Sequence, residues 1–148
     1  MLPLIKFAHL AAAITWLGGI GFMLFALRPA AGETLQPPQR LPLIAATLQR
    51  FFIIVRIAIL VLLLSGLAML LSVGMKNAPH GWHVMFGFGL LMFALFGRIE
   101  SGPFKRLKGA VAIADWPTAG AQVGPIARLA TAIFALGWVA IAAMRFIP

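Results

Sequence analysis

The sequence has no cysteine, no tyrosine and only three acidic residues, against 12 lysines and arginines. Without cysteine, the chain cannot form disulfides, thiolate zinc sites, iron–sulfur clusters or a covalently attached c-type heme. The three acids, Glu33, Glu100 and Asp115, all lie outside the long apolar runs. No pair of carboxylates is therefore available inside a membrane for acid–base chemistry.

Charge is also scarce, at 10% of the 148 residues, whereas 62% of the residues are hydrophobic. A soluble domain has about a quarter of its residues charged, and a small domain cannot bury such an apolar excess. A soluble enzyme is thus excluded. The net charge of +9 is carried between apolar runs rather than on one polar face, which indicates membrane topology and no nucleic-acid partner.

Four runs without a charged residue are each long enough, or nearly so, for the approximately 20 residues that cross a bilayer. They are residues 7–27, 57–75, 77–97 and 129–144. The sequence predicts an all-α integral membrane four-helix bundle, one transmembrane domain over residues 1–148. Its helices are expected at about 5–27, 43–74, 80–100 and 118–146, with Asp115 as the N-cap of the last and Pro117 in its first turn.

The basic residues alternate in density between successive connections. Nine lie in the first and third connections, and three (Lys6, Lys76 and Arg145) lie elsewhere. The positive-inside rule predicts a multi-pass protein of a bacterial-type inner membrane, surrounded by lipid, with both termini on the outer face. The basic residues around 104–107 are interpreted mainly as topology signals, and the alternative is a segment resting on the anionic inner leaflet.

Three histidines are the main candidates for chemistry, because ionisable groups inside a span are costly and indicate function. His9 lies about one turn into the first helix and His83 about one turn into the third. These helices run parallel in an alternating bundle, so the two imidazoles are expected at nearly equal depth. His80 lies in the preceding turn and is expected at the water interface, with metal ligation as a minority alternative.

Two imidazoles at equal depth can hold one b-type heme inside a bundle, with His9 and His83 as iron ligands. Trp16 lies on the same helix face as His9, and Gly19 and Gly87 would leave space for the porphyrin. These three residues are therefore added as candidate cofactor-binding residues. The alternative interpretation is structural, since intramembrane histidines also form hydrogen bonds between helices and small residues also serve packing.

The stretch from His9 through Trp16 to Gly18-Gly19 resembles the first helix of the copper-resistance D (CopD) family of membrane proteins. Arg50-Phe51, residues 64–67 and Trp82-His83 fit the same resemblance, which implies copper movement across the inner membrane. The chain is similar also to HemJ-type heme proteins, a likeness that implies heme b on His9 and His83. Those oxidases have a lysine two residues after the second histidine, where this chain has Met85.

The main functional hypothesis is a b-type membrane cytochrome that passes electrons from quinol to an outer-face acceptor. The first alternative is copper transport or resistance, with the three histidines and Met75 or Met85 as soft ligands. A protoporphyrinogen oxidase-like activity is a further alternative, so membership of the membrane oxidoreductases stays open. A structural subunit of a larger complex and a homo-oligomer are also compatible with the sequence.

Overall fold

A computed structural model of the protein describes residues 1–147, and within this range the chain forms four long helices and no strand. The helices are α1 (Leu2–Thr34), α2 (Pro37–Val73), α3 (His80–Ala112) and α4 (Trp116–Phe146). Each of them is long and apolar enough to cross a membrane. The predicted all-α membrane bundle is confirmed.

The expected start of the second helix, at residue 43, lies six residues after the observed start at Pro37. The expected ends of the first and third helices, at residues 27 and 100, lie before the observed ends at Thr34 and Ala112. Both helices continue past a charged residue through one wide π-helical turn, at Met23–Leu27 in α1 and at Glu100–Phe104 in α3. A charged residue marks the edge of the apolar run, but it does not interrupt backbone hydrogen bonding, so the helix extends into the polar region. In α3 the continuation includes a kink at Gly102, which has φ −106° and ψ −105°.

Short connections join the helices, and their residues explain where the helices start and stop. Gly74 ends α2 with φ +84°, a left-handed conformation that glycine adopts without strain. Asp115 caps α4 as predicted, since its carboxylate accepts a hydrogen bond from the Thr118 amide at 3.2 Å. The hydrogen bonds from Thr118 hold the pKa of Asp115 below its usual value.

Neighbouring helices run antiparallel, as contacts at both ends show. His9 of α1 meets Ser65 of α2, and Gly81 of α3 packs on the last turn of α4. At the opposite end, Arg106 of α3 donates to Gln122 of α4 at 3.0 Å. We call these the histidine end, which contains His9, His80 and His83, and the arginine end, which contains the α1–α2 and α3–α4 connections.

The core lies along the axis of the bundle and is built from large apolar side chains. Trp16, Leu41, Val55, Leu107 and Ile133 are almost completely buried. Phe52 joins the rings of Phe96 and Phe104 in edge-on contacts with centroids 5.0 and 4.6 Å away. The outer surface is apolar as well, with many exposed leucine, isoleucine and phenylalanine side chains, as lipid-facing surface requires.

The bundle is longer than the membrane. The 37 residues of α2 extend over about 55 Å, whereas the hydrocarbon core of a bilayer is about 30 Å thick. The helices therefore project beyond the apolar layer. Phe104 and Leu107 are buried in the bundle core, whereas Lys105 and Arg106 between them are exposed. The alternative that this basic segment rests on the anionic leaflet stays a prediction.

Candidate functional site

The histidine end holds one hydrogen-bonded pair between membrane helices, His9 of α1 and Ser65 of α2. Nδ1 of His9 lies 2.8 Å from Oγ of Ser65. Ser65 is buried, and its hydroxyl also lies 2.5 Å from the Val61 carbonyl oxygen, one turn earlier in α2. Gly66 follows Ser65, and a Cβ on it would lie 3.5 Å from Cε1 of His9. The imidazole is thus seated against α2 on two sides.

The hydrogen-bond distances favour one tautomer of His9. Oγ of Ser65 lies closer to the Val61 carbonyl oxygen, at 2.5 Å, than to Nδ1 of His9, at 2.8 Å, so we assign its single hydroxyl hydrogen to Val61. Oγ of Ser65 then accepts from Nδ1–H of His9. A neutral imidazole carries one ring proton, and Nε2 of His9 is left with a free lone pair, the form in which histidine ligates a metal.

Nε2 of His9 is also accessible. Among residues 1–147, no fully buried side-chain nitrogen or oxygen lacks a hydrogen-bond partner, and Nε2 has no partner in this part of the chain. This nitrogen is therefore not sealed in the core. A half-buried imidazole with an unpaired ring nitrogen has the chemistry of a metal ligand.

The other two histidines lie at the start of α3. His80 is its first residue, and both His80 and His83 are exposed on the bundle. Nδ1 of His83 lies 3.3 Å from the Pro79 carbonyl oxygen, so Nδ1 carries the proton and Nε2 again has the lone pair. Within residues 1–147 no hydrogen bond connects any two of the three histidines.

Trp16 is in the core and sets the register of α1 against α3. Its ring stacks on Phe93, with centroids 5.9 Å apart and planes 25° apart, and meets Phe96 edge-on. Phe93 lies ten residues after His83, and Trp16 lies seven residues after His9. The difference of three residues places His83 about 4.5 Å nearer the end of the bundle, or roughly one helical turn.

The two candidate glycines have different surroundings. A side chain on Gly19 would collide with the ring of Phe51, so this glycine lets α1 and α2 approach closely. Gly87 is exposed and would place a Cβ in open space. Gly87 thus borders free volume beside α3, whereas the space above Gly19 is filled by the protein.

The donors at the histidine end are few. No group of three or more histidine, cysteine, aspartate or glutamate side chains that could hold a metal ion occurs in residues 1–147. Any further ligands to a metal ion at this end would have to be methionine thioethers or be supplied with the metal. Met75, in the α2–α3 connection, and Met85, two residues after His83, supply thioethers at this end.

Sequence reasoning missed the partner of His9. The sequence points to Ser65 only through the family resemblance of residues 64–67. A serine in the middle of an apolar span is itself a signal, because its hydroxyl must find an acceptor. In an antiparallel pair of helices, the residues of the C-terminal turns of α2 lie opposite the N-terminal turns of α1. The Arg56–Glu100 ion pair between α2 and α3 is also not predicted, because nothing in the sequence shows that these residues, 44 positions apart, face each other.

The fold and this end of the bundle define a multi-pass helical membrane protein with one oriented intramembrane imidazole. A family model described as copper resistance protein D (CopD) matches residues 45–147. The match covers more than half of the chain, which therefore belongs to the copper resistance protein D family. It includes Ser65, His80 and His83 and begins after His9. Comparison with curated proteins and with solved structures gives no significant match.

Proposed function

We propose that the protein handles copper as cargo, with the ion bound at the histidine end through Nε2 of His9. The observation that carries this proposal is the His9–Ser65 hydrogen bond, which fixes the imidazole with its lone pair free. Membership of the copper resistance protein D family supports copper as the metal. Imidazole and thioether ligands both suit copper(I).

The chain's own groups have defined tasks in this proposal. Oγ of Ser65 accepts a hydrogen bond from Nδ1–H of His9, which holds the ring in one orientation. Because Gly66 has no side chain, the edge of the His9 ring fits directly against α2. Met75 and Met85, at the same end, are the thioether donors that complete the copper site. The histidine end is the outer face in the predicted topology, so capture of copper occurs there.

A copper(I) titration of the purified protein against a chromophoric competing chelator tests the proposal. We expect one copper ion per chain to be retained by the wild-type protein. His9→Gln should lose this site, because the amide is a poor copper ligand of similar size. Thr15→Ala is the matched control, since Thr15 lies on α1 and its hydroxyl bonds only to Ala11 of the same helix. Equal affinity in wild type and His9→Gln would contradict the proposal.

The second candidate is a b-type heme between His9 and His83 in an electron-transfer protein. It is favoured by one observation, that both residues present an unprotonated Nε2 within about one turn of the same depth. Heme would supply one-electron redox chemistry, and two histidine ligands leave no open iron position. A red protein with a split α/β spectrum on reduction, lost in both His9→Ala and His83→Ala, would replace copper handling by this function.

A further inference from the structure

A cavity that opens to the surface lies at the arginine end of the bundle, far from the histidines. It has a volume of about 490 Å³ and is formed by three helices: the last turns of α1, the first turns of α2 and the start of α4. Arg28 and Arg40 contribute its two charges. The remaining lining is apolar or glycine, with Leu41 and Ile44 on α2.

Within residues 1–147, neither Arg28 nor Arg40 has a carboxylate partner. Among the described residues the one ion pair joins Arg56 to Glu100, and neither Arg28 nor Arg40 is part of it. The nearest acid in sequence to Arg28 is Glu33, which does not line the cavity. Two uncompensated guanidinium groups on one cavity attract an anion, and their planar donors suit phosphate or carboxylate oxygens.

Glycines keep the cavity open. Gly32, Gly120 and Gly124 all line it, and a Cβ built on any of them meets no atom within 4 Å. The space above these residues is therefore free volume and not a packing contact between helices. This separates them from Gly19 and Gly137, whose Cβ positions are filled by Phe51 and Leu17.

The cavity is also apolar next to its charges. It shares Arg28, Ile44 and Val123 with a smaller apolar cavity of about 60 Å³ that reaches toward Trp16 in the core. Arg28 directly follows the apolar run of α1, at the level where lipid headgroups meet the hydrocarbon layer. A phosphate group that carries an apolar chain matches this combination of two arginines and an apolar lining.

We propose that the cavity between Arg28, Arg40 and the glycines of α1 and α4 is a binding site for a phosphate group, carried either by an anionic phospholipid or by a free phosphate. The site is independent of copper handling at the histidine end. Arg28 and Arg40 bind the phosphate oxygens, and the glycines give the headgroup its space.

Calorimetric titration of the purified full chain tests this site with two probes, short-chain dihexanoyl phosphatidylglycerol and inorganic phosphate. We expect saturable binding of at least one probe at physiological ionic strength. If only the lipid binds, the source is a headgroup, and if phosphate binds equally well, the source is free phosphate. Binding of neither probe would overturn the proposal.

Three arginine variants locate the site. Arg28→Gln and Arg40→Gln should each weaken binding about tenfold or more, because each removes a charge-assisted hydrogen bond. Arg50→Gln is the matched control on α2, since Arg50 is exposed and does not line the cavity. Equal losses in all three arginine variants would show diffuse attraction to basic surface and would overturn the site.

Gly124→Leu tests the cavity without removing charge. Leucine is a better helix former than glycine, and the side chain enters open space, so folding should be retained. We expect binding to be blocked by the filled volume. Gly109→Leu, on the exposed surface of α3, is the control that should bind normally. Unchanged binding in Gly124→Leu would overturn the proposal.

Discussion

Nδ1 of His9 and Oγ of Ser65 are hydrogen-bonded at 2.8 Å across the interface of two membrane helices. The Ser65 hydroxyl in turn donates a hydrogen bond to the carbonyl oxygen of Val61, so we assign Oγ of Ser65 as the acceptor of Nδ1–H of His9. In this arrangement Nε2 of His9 keeps its lone pair. A preset tautomer of this kind is how proteins orient metal-binding imidazoles.

The first prediction concerns Ser65. Ser65→Ala should lower the copper(I) affinity about 10- to 100-fold, since loss of an outer-shell partner frees the imidazole to rotate and change tautomer. The same chelator titration measures it. Ser72→Ala on the same helix is the control, because its hydroxyl bonds to the Met69 carbonyl and not to a histidine. Equal affinities in the two variants would show that Ser65 does not position His9.

The second prediction concerns packing around Trp16, which is 2% exposed. Trp16→Ala should lower the free energy of unfolding by about 3–5 kcal/mol, because it leaves a cavity beside Phe93 and Phe96. Denaturant unfolding in detergent micelles gives the value. Trp138→Ala removes the same side chain from a position that is 56% exposed, and it should cost about 1 kcal/mol or less. A similar cost for both would refute the core position of Trp16.

The third prediction is the topology. Nine of the 12 basic residues lie between the first and second or between the third and fourth apolar runs of the sequence, so the arginine end should be cytoplasmic and the histidine end outside. Reporter enzymes fused at residue 76 should be active only if they require the periplasm, and fusions at residue 114 only if they require the cytoplasm. The opposite pattern would reverse the orientation and place copper capture on the inner face.

The fourth prediction is a pH dependence at Asp115. Because hydrogen bonds from Thr118 lower its pKa in the folded state, the cap stabilises α4 fully above the unfolded pKa of about 4. This stability is lost as the pH falls through the lower folded value. The Thr118 amide should therefore exchange hydrogen faster, relative to neighbouring amides, in strongly acidic solution.

Asp115→Asn provides the control for that measurement. Asparagine caps helices about as well as aspartate but does not titrate. Its Thr118 amide should stay protected throughout the same acid range. Protection that falls equally in the wild type and in Asp115→Asn would mean that the cap does not depend on the Asp115 charge.

The fold was largely predictable from the sequence, because apolar run length and charge spacing determine membrane helices directly. The four helices and the Asp115 cap were predicted correctly. The ends of α1 and α3 were not, since backbone hydrogen bonding continues past Arg28 and Glu100 where hydropathy falls. Hydropathy reports contact with lipid, and the projecting helices leave the lipid without ending.

The candidate site was predictable only in part. A histidine inside an apolar span marks His9 from sequence alone. Its partner Ser65 is 56 residues away, and only the rotation of α2 about its axis decides whether that hydroxyl faces α1. Helix rotation also decides that Phe51 of α2 packs on Gly19 and that Gly87 of α3 faces open space. Such rotations follow from the packing of all side chains together and are not encoded in any short motif.

X-ray absorption at the copper edge, on protein loaded with one copper(I) per chain, tests the central claim most directly. The account predicts imidazole nitrogen together with thioether sulfur in the first coordination shell, and loss of the imidazole scattering in His9→Gln with the Thr15→Ala control unchanged. A first coordination shell of copper that is identical in the wild type and in His9→Gln would contradict the assignment of His9 as a copper ligand.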